Sequence, residues 1–233
     1  MEAKQITTFA LQGKALKEEQ TIPVTAEADE ARHLESGVIN LYPEMEYQEI
    51  EGFGGALTDT SAYLYSKMNP ADKKQFLEDY FGKEGQGYRF LRIHIDSCDF
   101  SLEEYQAVAD PIADPDFTTF TIDRDRKYMI PMLKDAMAMT ATPFSILLSP
   151  WSPPFQWKTP PEAPKNDASV YGGSFLANFM PPVDYEKPQR NNGGKLKKEH
   201  YGDWARYLAK YVNAYLEEGL PVTMMSLQNE TIA

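Results

Sequence analysis

Polar and aromatic residues follow four apolar stretches of the chain, each at the point where the stretch ends. In chain order they are Thr58 and Asp59, Asp96 and Asp99, Trp151, and Asn229 and Glu230. A carboxyl group can donate or accept a proton, and carboxylates and amides form hydrogen bonds with hydroxyl groups. The flat apolar face of an exposed indole ring suits packing against the C–H face of a pyranose. Together these residue types favour acid–base chemistry on a sugar.

Glu230 is the strongest candidate for a proton donor. It follows the apolar run 224–227, where a buried strand would run out into a site, and the Asn229 amide beside it can both donate and accept hydrogen bonds. Glycosidases that retain anomeric configuration use one carboxylic acid to protonate the leaving oxygen and a second carboxylate about 5 to 5.5 Å away. The pattern by itself equally allows Glu230 to be a surface acid near a chain end.

Asp59 and Trp151 are candidates for binding a sugar. Asp59 follows a stretch with glycines at positions 52, 54 and 55, where the backbone can pass close to a neighbour, and its carboxylate can accept hydrogen bonds from hydroxyls. Capping of a helix that begins near Thr60 is an alternative role that can coexist with the first. Trp151 stands in the run Ser-Pro-Trp-Ser-Pro-Pro, whose prolines stiffen the turn. The alternative for Trp151 is a core position beneath the loop that follows.

Charged and apolar residues alternate along 91–96, as on a strand. A charged group on a buried strand needs a partner. We therefore expect Arg92 to pair with a carboxylate in the interior of the fold, and to hold site residues in place without contacting substrate. His94 is one of three histidines, and Cys98 is the single cysteine. We therefore expect no metal site and no internal disulfide.

The four apolar stretches alternate with segments of helical periodicity, which is the pattern of βα units. The predicted strands are 50–57, 88–95, 143–149 and 222–228, and the predicted helices start after the caps Asn69 and Asp123 and at about Glu199. Pro131 in the second helix predicts a kink or a later start. One face of the third helix, formed by Trp204, Leu208, Tyr211, Val212 and Tyr215, is expected to be core. Because the polar residues all follow strands, we predict an α/β fold in which they share the carboxyl end of a (β/α)8 TIM barrel.

About four βα units are visible, whereas a complete barrel has eight. We therefore predict the N-terminal half of the barrel over residues 48–233, with two unpaired edges. Residues 1–47 are polar, with weak strand character at 6–11 and 38–42, and are predicted to be a short β-rich lead-in belonging to a side domain. The Pro-, Gly- and Asn-rich stretch 153–198 is predicted to be a functional loop on the face where substrate would lie.

Composition argues against several classes of partner. The 233 residues carry 35 acidic and 23 basic side chains, a formal net charge of −12, which disfavours nucleic acid and electrostatic adsorption to anionic membranes. No apolar run approaches the roughly 20 residues that cross a bilayer, so we expect no stable membrane insertion. The first residues lack the pattern of a signal peptide. This predicts a cytoplasmic protein, or a secreted one if the gene start is misassigned.

Five segments, taken together, are specific enough to indicate a family. They are EGFGGALTDTSA (51–62), GYRFLRIHIDSCDFS (87–101), LLSPWSPP (147–154), YGDWARYLAKYVNAYLEEGL (201–220) and LQNE (227–230). In this order and spacing they resemble glycoside hydrolase family 30, within it the glucosylceramidase-like branch. The resemblance covers about residues 48–230. A single GFGG or SPW would be weak, whereas five collinear matches are specific.

The resemblance implies a (β/α)8 barrel with a β-side domain built from both chain ends, and retaining hydrolysis of β-glucosides of the glucosylceramide type. It implies that Glu230 is the acid/base, that Asn229 contacts the sugar, and that Asp59 and Trp151 lie in the glucose subsite. A β-glucoside or glycolipid substrate, a place in carbohydrate or sphingolipid metabolism, and no cofactor follow from it. Thr231 stands where the family usually has proline, and residues 156–160 depart from the family on the aglycone side.

The family's nucleophile, a glutamate near the seventh strand, has no counterpart in the four predicted βα units. We therefore predict that these 233 residues alone, as a truncated barrel, catalyse no double displacement, and that they pair with a missing C-terminal half. Two alternatives stay open. One is a non-catalytic sugar-binding or half-barrel subunit, and the other is a family member that acts on β-1,6-glucan, xylan or a xyloside.

Overall fold

The computed structural model describes residues 2–9, 16–23, 42–140, 143–162, 184–190 and 193–230. They belong to two compact units, 1–50 and 51–233, whereas the sequence pattern puts the boundary after residue 47. In the first unit β1 (Glu2–Phe9) pairs antiparallel with β2 (Leu16–Pro23). The strand predicted at 6–11 thus begins earlier, and its partner escapes prediction because charged and polar residues fill 17–21. The strand predicted at 38–42 lies outside the described residues except for Tyr42.

Within its described residues, the second unit contains a parallel sheet of four strands. Their order is β3 (Gly54–Leu57), β4 (Phe90–Ile95), β5 (Ser145–Pro150) and β6 (Val222–Met225). Sequential parallel neighbours joined through helices are what βα units produce, so the predicted alternation is confirmed. The strands are shorter than predicted, because the glycine-rich segment before β3 and the segment after β6 leave the ladder.

The helices among the described residues are α1 (Asp59–Lys67), α2 (Pro70–Phe81), α3 (Asp123–Lys127), α4 (Met129–Met139) and α5 (Tyr201–Glu217). Short 3₁₀ turns occupy Phe155–Trp157 and Lys198–His200. As predicted, the Asn69 side chain caps α2 and Pro70 takes its first position. Thr58 rather than Asp59 caps α1, and its hydroxyl accepts a hydrogen bond from the Ser61 N–H.

The helix predicted around Pro131 is interrupted. Asp123 is the first residue of α3 and not a side-chain cap. The backbone of Tyr128 leaves the helical conformation, so α3 ends there and α4 begins at the next residue. Pro131 then falls in the first turn of α4, where backbone N–H groups have no partner within the helix, so its missing N–H costs nothing there. The later start, one of the two predicted outcomes, is the one observed.

The core of the second unit lies between the sheet and the helices. Leu91, Ile93 and Ile95 of β4 are buried and belong to the same hydrophobic cluster as the buried face of α5. Of the residues predicted as core on α5, Trp204, Leu208, Tyr211 and Tyr215 are buried and Val212 is partly buried; Tyr207, which the pattern does not predict, is buried with them. Strands β3 and β4 approach so closely that a Cβ at Gly54 would lie 1.7 Å from the Phe90 carbonyl oxygen. Only glycine allows this pairing.

The two edges of the four-stranded sheet expose apolar side chains. Phe53, just before β3, is 69% exposed, and Met224 and Met225 of β6 are 40% and 39% exposed. Parallel strands are normally covered on both faces and paired on both sides. None of the described helices is both long and apolar enough to span a membrane.

Candidate active site

The residues that follow β5 and β6 meet in one cleft at the carboxyl end of the sheet. The Asn229 N–H donates to the Pro150 carbonyl at 2.7 Å, which ties the segment after β6 to the end of β5. This bond brings Glu230 to the same cleft as Trp151. The other polar residues that line it include Asp99, Ser152, Lys158, Arg190, Gln228 and Asn229.

Glu230 is exposed at this cleft. The Gln228 side-chain amide donates to the backbone carbonyl oxygen of Glu230 at 3.2 Å. This bond restrains the backbone of Glu230 and does not involve its carboxylate. The Glu230 carboxylate makes no hydrogen bond or ion pair with the part of the chain that the structure describes. A carboxyl group in this situation can exchange a proton with a bound ligand.

Arg92 orients Asn229 from the neighbouring strand. The Arg92 Nη2 donates to the Asn229 Oδ1 and, at 3.0 Å, to the Ser149 Oγ. Because the amide oxygen already accepts a hydrogen bond, the amide nitrogen is the part of Asn229 that can donate to a ligand. The predicted pairing of Arg92 with a carboxylate is wrong for the described residues, since the register of the strands puts a hydroxyl and an amide beside it. The positive charge of Arg92 therefore remains without a carboxylate there.

Trp151 is partly exposed and is held on one face and at one edge. The Arg92 guanidinium lies 4.6 Å from the centre of the indole, and the indole Nε1 donates to the Asp99 Oδ2 at 3.2 Å. Arg92 thus occupies one face of the indole. The alternative role, a core tryptophan beneath the loop, belongs to Trp157 instead. That ring is fully buried and stacks on His200 at 5.4 Å.

Asp59 lies one strand beyond Arg92 and is 2% exposed. Its Oδ2 accepts hydrogen bonds from the Leu102 N–H and from the Arg124 Nη2, both at 3.0 Å. Among the described residues it is not part of the lining of the cleft. The predicted role of Asp59 in binding sugar stays a prediction, for a carboxylate that is mostly enclosed by protein.

His94 connects Asp59 to the end of β4. Its Nε2 accepts a hydrogen bond from the Asp59 N–H at 3.0 Å, so the proton of the neutral ring is on Nδ1, which donates to the Asp96 carbonyl. Both ring nitrogens are thus used in joining backbone segments. The described ranges contain no group of three or more His, Cys, Asp or Glu side chains that could hold a metal ion.

Behind the strand ends lies a second polar region, which we name the tyrosine–carboxylate cluster. Its members are Asp96, Asp125, Tyr105, Tyr207, Tyr211 and Tyr215. Asp96 is fully buried and has a positive φ of 58°. Its carboxylate accepts from the Tyr207 hydroxyl at 2.8 Å and from the Ala107 N–H at 2.8 Å, and the Arg190 Nη2 lies 3.4 Å away. Burial raises the pKa of Asp96.

Asp125 is the second carboxylate of this cluster. It accepts hydrogen bonds from the hydroxyls of Tyr105 at 3.1 Å, Tyr215 at 3.0 Å and Tyr211. Burial raises the pKa of Asp125 to about 6. The sequence pattern predicts Tyr211 and Tyr215 as core, but it predicts neither the burial of Tyr207 nor the hydrogen bonds of the three hydroxyls. The only signal is their spacing, with hydroxyls at positions 207, 211 and 215 on one helical face.

Lys158 joins the described arms of the loop predicted at 153–198. Its Nζ donates to the Ser152 Oγ at 2.8 Å and to the Arg190 carbonyl at 2.7 Å. Burial, with the charge of Arg190 adding to it, lowers the pKa of Lys158 to about 8. The segment 163–183 of this loop lies outside the described residues, so its predicted functional role stays a prediction.

Comparison with known proteins identifies similar sequences. A family model described as the glycosyl hydrolase family 30 TIM-barrel domain matches residues 50–174. Lysosomal acid glucosylceramidase of Mus musculus is 29% identical over 197 residues, which cover 84% of this chain and 34% of the relative. Endo-1,6-beta-D-glucanase BGN16.3 of Trichoderma harzianum is 25% identical over 187 residues, 79% of this chain and 35% of the relative. The chain spans about a third of the length of these curated relatives.

Solved structures give the same fold. SrfJ from Salmonella typhimurium superposes with a TM-score of 0.72 at 27% identity, and the match covers 100% of this chain and 45% of that one. The endo-beta1,6-glucanase BT3312 superposes with a TM-score of 0.66 at 24% identity, covering 98% of this chain and 42% of that one. Together with the family model, these matches confirm the predicted barrel fold, of which this chain represents a part.

Proposed function

This chain belongs to glycosyl hydrolase family 30, and we propose that the full-length protein is a retaining β-glycosidase with Glu230 as its acid/base. The observation that carries the proposal is the situation of Glu230. Its carboxylate is exposed, follows β6, and borders the same cleft as Trp151 and Asn229. In TIM-barrel enzymes the catalytic groups lie at this end of the strands.

The reaction that we propose has two steps. In the first, Glu230 gives its proton to the glycosidic oxygen, the bond from that oxygen to the anomeric carbon breaks, and a second carboxylate bonds to that carbon. In the second, Glu230 takes a proton from water, whose oxygen attacks the same carbon and releases the second carboxylate. Asn229 donates a hydrogen bond to a sugar hydroxyl, and Trp151 packs against the ring. We assign the second carboxylate to a glutamate outside these 233 residues, as the family resemblance implies.

A neutral β-glucoside is the substrate class that we favour, with glucosylceramide as the first compound to test. Support comes from the 29% identity to a protein named lysosomal acid glucosylceramidase. The net charge of −12 suits a neutral sugar. A β-1,6-glucan is the second candidate, because proteins named endo-1,6-beta-D-glucanase from Trichoderma harzianum and Neurospora crassa are 25% and 24% identical.

We further propose that the four-stranded sheet pairs with the rest of a barrel. The exposed apolar residues Phe53, Met224 and Met225 at its two edges support this pairing, since parallel strands are stable when both edges are paired. We accordingly expect no double-displacement turnover from the 233 residues by themselves. Robust hydrolysis by them alone would contradict this expectation. A non-catalytic subunit that binds sugar is the alternative if the complete protein also fails to turn over substrate.

The test compares two glutamate-to-glutamine variants of the full-length protein on an aryl β-glucoside. Glu230→Gln is expected to lower kcat by about 10² to 10⁴, because the leaving oxygen loses its proton donor. The loss should be smaller for a dinitrophenyl glucoside, whose leaving group needs little protonation. Glu217→Gln, on the exposed face of α5, is the matched control.

The stereochemistry of the product completes this test. Proton NMR of the first turnover is expected to show the β-anomer, as two displacements require. Equal activity of the two variants, or initial release of the α-anomer, would overturn the proposal. Rates on glucosylceramide and on β-1,6-glucan, measured with the same preparation, decide between the two substrates.

A further inference from the structure

We infer that Asp99 binds the sugar hydroxyl that lies across the ring from the anomeric carbon, which is the 4-hydroxyl of a β-glucoside. The inference deepens the proposed function and rests on it, because it takes Trp151 as the sugar platform and Glu230 as the group that faces the glycosidic oxygen. Asp99 follows β4 in the chain and is part of the lining of the same cleft as these two residues.

The Asp99 carboxylate is exposed and is engaged by protein through one oxygen. Its Oδ2 accepts a hydrogen bond from the Trp151 Nε1 at 3.2 Å, and its Oδ1 makes no hydrogen bond or ion pair with the described residues. A carboxylate has room for about four hydrogen bonds, so most of this capacity is left for a ligand. Asp59, which follows β3, is in contrast 2% exposed and absent from the described lining of the cleft.

The bond to Trp151 puts this carboxylate at the edge of the platform. The N–H of an indole lies in the plane of the ring, so the group that accepts from it lies beside the ring and not over either face. The hydroxyls of a β-glucoside project outward from the pyranose. A sugar that packs on the indole therefore directs hydroxyls past the edge of the platform, where the Asp99 carboxylate can accept a charge-assisted hydrogen bond from one of them.

The order of the strands indicates which hydroxyl this is. Trp151 follows β5, which lies between β4, the strand before Asp99, and β6, the strand before Glu230. Neighbouring strands are about 5 Å apart, so the ends of β4 and β6 are separated by about 10 Å. One pyranose with a hydrogen bond of about 2.8 Å at each side fills such a span. With its glycosidic oxygen at Glu230, the sugar presents its 4-hydroxyl to Asp99.

The experiment measures binding and not turnover. Full-length protein carrying Glu230→Gln, the parent for this test, is titrated calorimetrically with phenyl 1-thio-β-D-glucoside, with Asp99→Asn or Glu104→Gln added. Asp99→Asn introduces an amide of the same shape, whose oxygen can still accept from the Trp151 Nε1. It is expected to raise Kd about tenfold, the value of one hydrogen bond to a charged group.

Glu104→Gln is the matched control. It removes the same charge from an exposed carboxyl group that also follows β4 but is not part of the described lining of the cleft. Kd should therefore stay unchanged. Because Asp99 and Glu104 are both exposed, both variants should keep the urea midpoint of the parent.

Two deoxy sugars identify the hydroxyl that Asp99 binds. For the 4-deoxy thioglucoside, the parent and Asp99→Asn should have the same Kd, since the hydroxyl that distinguishes them is missing. For the 2-deoxy thioglucoside, the tenfold difference should persist. A displaced indole, or a change in the overall charge of the cleft, would instead weaken the binding of both sugars alike.

Each outcome has a separate meaning. Equal affinities of Asp99→Asn and Glu104→Gln, or an equal loss for the two deoxy sugars, overturn the inference and leave the proposed function intact. Binding of the thioglucoside by a protein that hydrolyses no β-glucoside before Glu230 is replaced overturns the proposed function alone, and the two deoxy sugars still decide the role of Asp99. Absence of binding by the parent overturns both.

Discussion

Strand β4 contributes to two polar regions that are built in opposite ways. Arg92 belongs to the cleft with Trp151, Asn229 and Glu230, while Asp96, at the end of the same strand, belongs to the tyrosine–carboxylate cluster. In the cleft, the Glu230 carboxylate has no partner among the described residues. In the cluster, every carboxylate oxygen accepts at least one hydrogen bond. The carboxylates of the cluster are satisfied by protein groups, whereas the Glu230 carboxylate keeps its hydrogen-bonding capacity unused by the described residues.

This difference shows that a perturbed pKa does not identify the reactive site by itself. Burial raises the pKa of Asp125 to about 6, a value suited to a general acid. Yet Asp125 is 3% exposed and surrounded by the hydroxyls of three tyrosines, so no substrate oxygen has a place beside it. Access and an unused hydrogen-bonding capacity favour Glu230 instead.

The largest effect is expected from breaking the cluster at its centre. Asp125→Ala leaves the hydroxyls of Tyr105, Tyr211 and Tyr215 without their acceptor in a buried space, and should lower the free energy of unfolding by about 4 kcal/mol. Urea denaturation measures it. Asp123→Ala on the same short helix removes an exposed carboxylate and should leave the midpoint in place. Similar midpoints for both variants would show that the cluster does not stabilise the fold.

The pH dependence of stability sharpens the comparison. The folded pKa of Asp125, about 6, exceeds that of an unfolded aspartate, about 3.9, so between these values the folded state binds a proton that the unfolded state has lost. Its contribution to stability is full below about pH 4 and is lost as pH rises through about 6. Denaturation curves from pH 4 to 7 should show the parent losing about 2 kcal/mol relative to Asp125→Asn, which cannot titrate. Parallel curves would contradict the assignment.

The smallest change in stability is expected in the cleft. Trp151→Ala removes a partly exposed ring and its stacking with Arg92, and should cost about 1 kcal/mol of unfolding free energy or less. Affinity for a thioglucoside should nevertheless fall at least about tenfold, since the ring is the proposed sugar platform. Calorimetry and denaturation on the same sample test both statements. A large loss of stability with unchanged affinity would assign Trp151 to the core.

The sequence predicts what depends on neighbours in the chain. Alternation on β4, the Asn69 cap of α2 and the strand-end positions of Trp151, Asn229 and Glu230 all follow from local patterns. It cannot predict partners far apart in the chain, such as Asp59 with Arg124, 65 residues away, or Asp96 with Tyr207, 111 residues away. The prediction of a carboxylate beside Arg92 is wrong for the same reason, because its partners, Ser149 and Asn229, come from distant parts of the chain.

The long separations inside the tyrosine–carboxylate cluster also have a consequence for the order in which the chain is made. Asp125 leaves the ribosome 90 residues before Tyr215. At translation rates of about 5 to 20 residues per second, that interval lasts about 5 to 18 seconds. Until α5 is made, the carboxylates of Asp96 and Asp125 cannot accept hydrogen bonds from its tyrosine hydroxyls. We therefore expect β3, β4 and β5 to reach their final packing only after α5 has been made.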